Sequence, residues 1–127
     1  MKSIHVAAAV VIKDGRLFTT QRGYGNYAGY WEFPGGKIEP GETPAEALIR
    51  EIREELNAEI SIDRPFLDVE YDYPEFHLIM HCFLCSLKSD VSLREHRDAR
   101  WLDKENLYSV KWLGADIEVL NALEDIL

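Results

Sequence analysis

A chain of 127 residues, 46% hydrophobic and 29% charged, has the size and composition of one ordinary globular domain, residues 1–127, with a single sizeable core. Its net charge of −9 argues against stable binding to long DNA or RNA, because an acidic surface repels a phosphate backbone. No apolar run reaches bilayer length and no signal-peptide pattern opens the chain, so the expected setting is the cytoplasm, away from membranes.

In chain order, His5–Lys13 is rich in Val and Ala and reads as a buried strand. Asp14-Gly15 is a tight-turn signal, after which Arg16–Gln21 returns as the second arm of a hairpin. Gly23–Tyr30 has no period and reads as a surface loop. Trp31–Phe33 is a short strand ending at Pro34-Gly35-Gly36. Thr43, Pro44 and Glu46 supply a capping box and a first-turn proline, so a helix runs from there to about Leu56, with Asn57 as its stop. Strands follow over Glu59–Tyr73 and Phe76–Leu87, joined near Pro74, with a short one at Ala99–Leu102. A final helix over Ile117–Leu127 carries an apolar stripe of Ile117, Leu120, Leu123 and Leu127. The arrangement is α+β around a mixed sheet.

Cys82 and Cys85 form a C-x-x-C, a spacing shared by zinc and redox sites. They fall within a strand, where positions three apart face opposite ways, so two buried free thiols are the expected state.

On a helical wheel, Ala45, Leu48, Ile49, Ile52 and Leu56 form the core-facing arc. Glu51, Glu54 and Glu55 share the neighbouring arc, and Arg50 and Arg53 lie on the far side. Crowded carboxylates repel, and Glu55 borders the apolar arc, where an unpaired charge is costly. A solvated acidic face is the simple explanation of such a cluster. A divalent cation is the other. Mg2+ prefers carboxylate oxygens and bridges them to phosphates, which would let an acidic protein take a phosphorylated small molecule.

The wider spacing decides between them. The segment Gly36-x5-Glu42-x7-Arg50-Glu51-Ile52-x-Glu54-Glu55 resembles the Nudix box, G-x5-E-x7-R-E-U-x-E-E-x-G-U, with U aliphatic. Asn57 and Ala58 depart from its last two signature positions; Asn tolerates a left-handed helix end, so the first change is mild. With Trp31–Lys37 before it and the strands and helix after it, the chain looks like the MutT and CTP pyrophosphohydrolase branch of that family.

The resemblance implies an α/β/α sandwich around a mixed sheet. It also implies Mg2+, or Mn2+ in its place, acting on a small nucleotide in a monomer or homodimer. The glutamates matching Glu54 and Glu55 bind metal there. Glu51 joins the metal cluster and is a candidate general base. Arg50 orients a box glutamate, the Gly35 carbonyl completes the metal shell, and Glu42 is a structural partner. Glu95, six residues before Trp101, is a metal ligand or catalytic base, against the reading of a solvated loop acid. Arg22 and Lys37 are candidates for the phosphates, with a solvated strand end as the competing reading of Arg22. Phe33, Tyr71 and Tyr73 are candidates for stacking on the base, although strand aromatics usually fill cores. Asp116 is either the last helix's N-cap, a base-reading acceptor, or both.

The expected activity is hydrolysis of a nucleoside triphosphate, ordinary, modified or cytidine-type, to the monophosphate and pyrophosphate. Two alternatives stand beside it. One is another Nudix substrate such as ADP-ribose, an NDP-sugar or a dinucleoside polyphosphate. The other is a nucleotide-sensing module that binds without hydrolysis.

Overall fold

The structure is a computed structural model and describes residues 2–127. Its strands are β1 (Ser3–Lys13), β2 (Arg16–Arg22), β3 (Trp31–Glu32), β4 (Gly35–Lys37), β5 (Ile60–Asp72), β6 (His77–Leu87) and β7 (His96–Leu102). Its helices are α1 (Pro44–Leu56) and α2 (Gly114–Leu123), with a short 3-10 turn at Lys104–Asn106.

β1 organises the sheet. One edge pairs in parallel with β6 over nine residues, and β6 pairs antiparallel with β5. The other edge is divided: Val6–Ala8 pair with β4, and Ile12–Lys13 with β2. β2 in turn carries β3 and β7. The sheet therefore splays between β4 and β2, and the space opened there becomes the cleft described below. Asp14 and Gly15 both have positive φ, 52° and 75°, the backbone a tight type I′ hairpin turn requires.

Alternation along β1 divides the core in two. Ala7, Ala9 and Val11 face one way, against Leu48, Ile52 and Leu56 of α1. Ala8 and Val10 face the other, against Val119, Leu120 and Leu123 of α2. One helix on each side of a mixed sheet is the expected α/β/α sandwich. Cys82 lies in the α2-side core and Cys85 in the α1-side core, both free, as their spacing on β6 requires.

α1 is built as its sequence implies. The Thr43 side chain accepts from the Glu46 N–H (3.1 Å) and Glu46 accepts from the Thr43 N–H (2.9 Å). Asn57 closes the helix in the left-handed region at φ 49°. Its fully buried residues include Ala47, which the wheel had left off the apolar arc, whereas Ala45 and Ile49 are half-buried. Thr43→Ala is expected to lower stability by about 1 kcal/mol, read as a shift of the urea midpoint at constant m-value. An unchanged midpoint would show the box to be idle.

Three boundaries differ from expectation. β4 was not anticipated, because Gly-Gly is a poor strand signal. Glycines stand there because a Cβ on Gly35 would overlap the Ala7 carbonyl of β1, and Gly35 also has φ 157°. β7 begins at His96 rather than Ala99, since its pairing with β2 continues to Arg22 opposite His96. α2 begins at Gly114 and ends at Leu123, instead of spanning Ile117–Leu127. Trp31 N–H donates to the Lys111 carbonyl, and Leu113 N–H donates back to Trp31, so the chain is held extended until Leu113 and turns helical at once. Ile117 is exposed as a result, and Ala115 and Val119 join Leu120 and Leu123 in the buried side.

Candidate active site

α1 presents two different acidic edges. Glu51 and Glu55 turn in over β4 and are only 14% and 16% exposed. A Cβ on Gly36 would overlap the Glu51 carboxylate, so glycine is what lets that acid lie flat on the sheet. Glu54 is 60% exposed and stands outside the cleft.

Arg50 does not lie on the far side of the helix, as the wheel implied. Its long side chain folds back over the acids. Nε and Nη2 donate to the two Glu42 oxygens at 2.7 and 2.9 Å, and Nη1 donates to Glu51 at 2.9 Å and Glu54 at 3.2 Å. Nη2 also donates to the Lys37 carbonyl at 3.0 Å, tying α1 to β4. The guanidinium's rigid fork serves several acceptors at once, which a lysine could not do. Glu42 is held below the usual carboxylate range, chiefly by this bond. Arg53 does face outward and pairs with Glu59 at 2.7 Å.

Across from Glu55 stand residues that only the fold brings close. Glu32 of β3 is half-buried, and burial raises its pKa against the opposing pull of Arg22, whose Nε donates to it at 3.3 Å. His96 at the start of β7 is 5% exposed, with Nε2 3.4 Å from Glu55 and 3.9 Å from Glu32. Burial, then the Arg22 charge, lower the His96 pKa. Glu95, immediately before it, lines the same cleft, and its charge raises the pKa of the Tyr24 hydroxyl. Glu32, His96 and Tyr24 were not anticipated. Their only sequence signals were nearness in the chain to Phe33, Glu95 and Arg22, and these say nothing of which way a side chain turns.

These acids crowd one another. Burial, a hydrogen bond and charge from Glu51, and the charges of Glu95 and Glu32 push Glu55 up to about 9. Among the described residues no three carboxylate, imidazole or thiol groups already form a ligand shell. Mg2+ takes few protein ligands and keeps several waters, so it does not require such a shell. A set of hard oxygen donors, destabilised as anions and beside a glycine-lined floor, fits a divalent cation.

The cleft, about 820 Å³, runs from these acids to an apolar end lined by Phe33, Tyr73, Phe76, Leu78 and Met80. Asp116 closes that end. It is buried in the first turn of α2, two residues after Gly114, so it is not the helix's N-cap; Leu113 occupies that position. Burial pushes its carboxyl well above the usual range, and its Oδ2 has no partner among the described residues. The Tyr73 hydroxyl accepts from the Ala115 N–H at 3.1 Å, and burial pushes it up to about 12. Phe33, Tyr73, Arg22, Lys37 and Gly35 all line the cleft. Tyr71 does not: its ring packs on Tyr73 and fills the space beside Gly114, because β5 turns it outward past the cleft wall.

The Nudix domain pattern matches residues 3–122, and the chain belongs to the Nudix family, whose hydrolases work with a divalent metal. It is 32% identical over 124 residues to the CTP pyrophosphohydrolase of Escherichia coli, covering 96% of this chain and 92% of that one. It is also 39% identical over 85 residues to the 8-oxo-dGTP diphosphatase of Proteus vulgaris, covering 65% and 76%. The solution structure of the E. coli ORF135 protein superposes with a TM-score of 0.86 at 31% identity, covering 99% of this chain and 91% of that one. A MutT Nudix hydrolase of Burkholderia pseudomallei, at 22% identity and TM-score 0.87 over 95% and 98%, shares the fold. No helix among the described residues is long and apolar enough to cross a membrane.

Proposed function

We propose that residues 1–127 act as a Mg2+-dependent pyrophosphohydrolase of nucleoside triphosphates, with a cytidine-type or modified base among its substrates. The observation that carries this is the cleft itself, which joins a cluster of crowded acids to an apolar, aromatic end with one unpartnered acid. A nucleotide has the matching halves: phosphates that need cations and a base that needs a flat apolar slot. The names of the two relatives, one acting on CTP and one on 8-oxo-dGTP, agree with that class.

Glu51, Glu55 and Glu95 with the Gly35 carbonyl would hold Mg2+, or Mn2+ in its place, and Glu54, solvent-facing in this structure, would join them only by turning toward the cleft. Bound there, the cation would polarise the phosphoryl oxygens. Arg22 and Lys37, at the rim, suit the outer phosphates. Arg50 keeps Glu51 turned toward β4. Glu51 or Glu95 accepts the proton of the attacking water, whose oxygen bonds to phosphorus as the bridging P–O bond breaks, releasing monophosphate and pyrophosphate. Phe33 and Tyr73 would flank the base, and Asp116 would meet its polar edge. Two buried free thiols suit a reducing cytoplasm.

The test is a panel of dCTP, 5-methyl-dCTP, 8-oxo-dGTP and ADP-ribose with Mg2+, assayed for the nucleoside monophosphate that each would release, with pyrophosphate as the second product of the triphosphates. Turnover of one or more triphosphates is expected. Tight binding with no turnover would make the protein a sensor, and hydrolysis of ADP-ribose alone would move it to another branch of the family.

Asp116→Asn should leave the phosphate chemistry intact and redistribute kcat/KM across the panel. Exchanging an oxygen acceptor for an amide donor at a buried contact is worth about 1–3 kcal/mol, so a change of about tenfold or more between bases is expected. An unaltered ranking would remove Asp116 from base recognition.

A further inference from the structure

His96 is used by no part of that chemistry, yet its surroundings are unlike those of a core-filling histidine. Its backbone is fixed at the start of β7, opposite Arg22, where the β2–β7 register shifts. Gly23 lies so close to the Glu95 carbonyl that any side chain there would overlap it. The imidazole is buried with Nε2 toward Glu55 (3.4 Å) and Glu32 (3.9 Å), and Nδ1 has no partner among the described residues. A neutral imidazole carries one proton. With Glu55 ionised, as a metal ligand must be, and no acceptor at Nδ1, the proton belongs on Nε2. Burying a polar ring and orphaning one of its nitrogens is unfavourable, and a leucine would fill the space without that penalty. The contact with the carboxylates is what the histidine provides.

We propose that His96 is a positioning residue, whose Nε2–H holds the Glu55 carboxylate in place for metal binding. The inference rests on the reading of Glu55 as a metal ligand. Arg22 Nε donates to Glu32 Oε2 at 3.3 Å, and His96 Nε2 lies nearer to Glu55 Oε2 (3.4 Å) than to that Glu32 oxygen, which at 3.9 Å is beyond hydrogen-bond reach. Arg22 is itself anchored by the Asn26 carbonyl at 3.2 Å. Glu55, crowded by other acids, has in His96 a neutral donor that orients it without competing for its site. Donors of this kind to metal-binding carboxylates are commonly as consequential as the ligands.

The experiment is calorimetric titration of nucleotide-free protein with Mn2+, alongside thermal unfolding, for wild type, Glu55→Gln, His96→Leu, His96→Asn and His96→Gln. A glutamine amide nitrogen falls near the position of Nε2, and an asparagine nitrogen near Nδ1. Expected is a loss of Mn2+ affinity of about 10- to 100-fold in His96→Leu and His96→Asn, with recovery of most of it in His96→Gln. All three should remain folded. Wild-type affinity in His96→Leu and His96→Asn, with Glu55→Gln weakened, would overturn the positioning role and leave the metal site standing. Equal weakening in His96→Gln would do the same, by showing that ring shape matters rather than the donor. Unchanged binding by Glu55→Gln, or no binding by wild type, would overturn the assignment of Glu55 and this inference with it.

Discussion

Glu55→Gln is expected to lower turnover by about 100- to 10,000-fold, the range set by losing a metal contact worth several kcal/mol in the transition state. The same change should make the metal-free protein less sensitive to alkaline pH. Burial and the neighbouring Glu51, Glu95 and Glu32 push Glu55 up to about 9, whereas an unfolded glutamate loses its proton near 4.5. Between those values the folded chain holds a proton that the unfolded chain has released. The Glu55 contribution to the stability of the metal-free wild type therefore falls as pH rises through that window, and is fully retained only below it. Asp116, also raised by burial, adds to the fall with the same sign. Glutamine has no proton to lose, so the decline should be shallower in the variant, though not absent. Denaturation in chelator at pH 5 and pH 8 measures this, and a steady-state assay measures turnover. Parallel pH dependences, or unimpaired turnover, would contradict the assignment.

Arg50→Lys should be the most damaging charge-conserving change in the chain. Arginine there serves both Glu42 oxygens, Glu51, Glu54 and the Lys37 carbonyl. A lysine ammonium is a point donor and cannot reproduce that geometry. The cluster is partly open to water, which tempers the effect, so a loss of about 1–3 kcal/mol is expected, with a lower urea midpoint at unchanged m-value. Activity should fall together with stability, because Glu51 loses the bond that orients it. A variant with wild-type midpoint and rate would show the clamp to be ornamental. Glu42→Gln separates the two effects: it removes the bidentate pair but leaves the Glu51 bond, so stability should drop more than kcat.

The contrast between Glu54 and Glu55 shows where local and tertiary information part. Spacing treats them as equivalent members of one acidic arc. In the fold Glu55 lies beneath the sheet's splayed edge, and Glu54 faces solvent with Arg50. The aromatics divide in the same way, since Tyr71 and Tyr73 are both on or beside β5 and both look suited to a base, yet only Tyr73 reaches the cleft.

α1 was legible in the residue order: where it starts, where it stops, and, through Leu48, Ile52 and Leu56, which face is buried. Those features depend on neighbours within a turn or two, and such contacts are written in the order of residues. The hairpin at Asp14-Gly15 and the opposed thiols of Cys82 and Cys85 were legible for the same reason. The tertiary structure alone decided that Arg50 folds back over the acids, that β7 begins three residues early, that Asp116 is buried instead of capping, and that Glu32 and His96 meet Glu55. These depend on strand register and on which edge of β1 each partner takes, and partners far apart in the chain leave no periodic trace at either position.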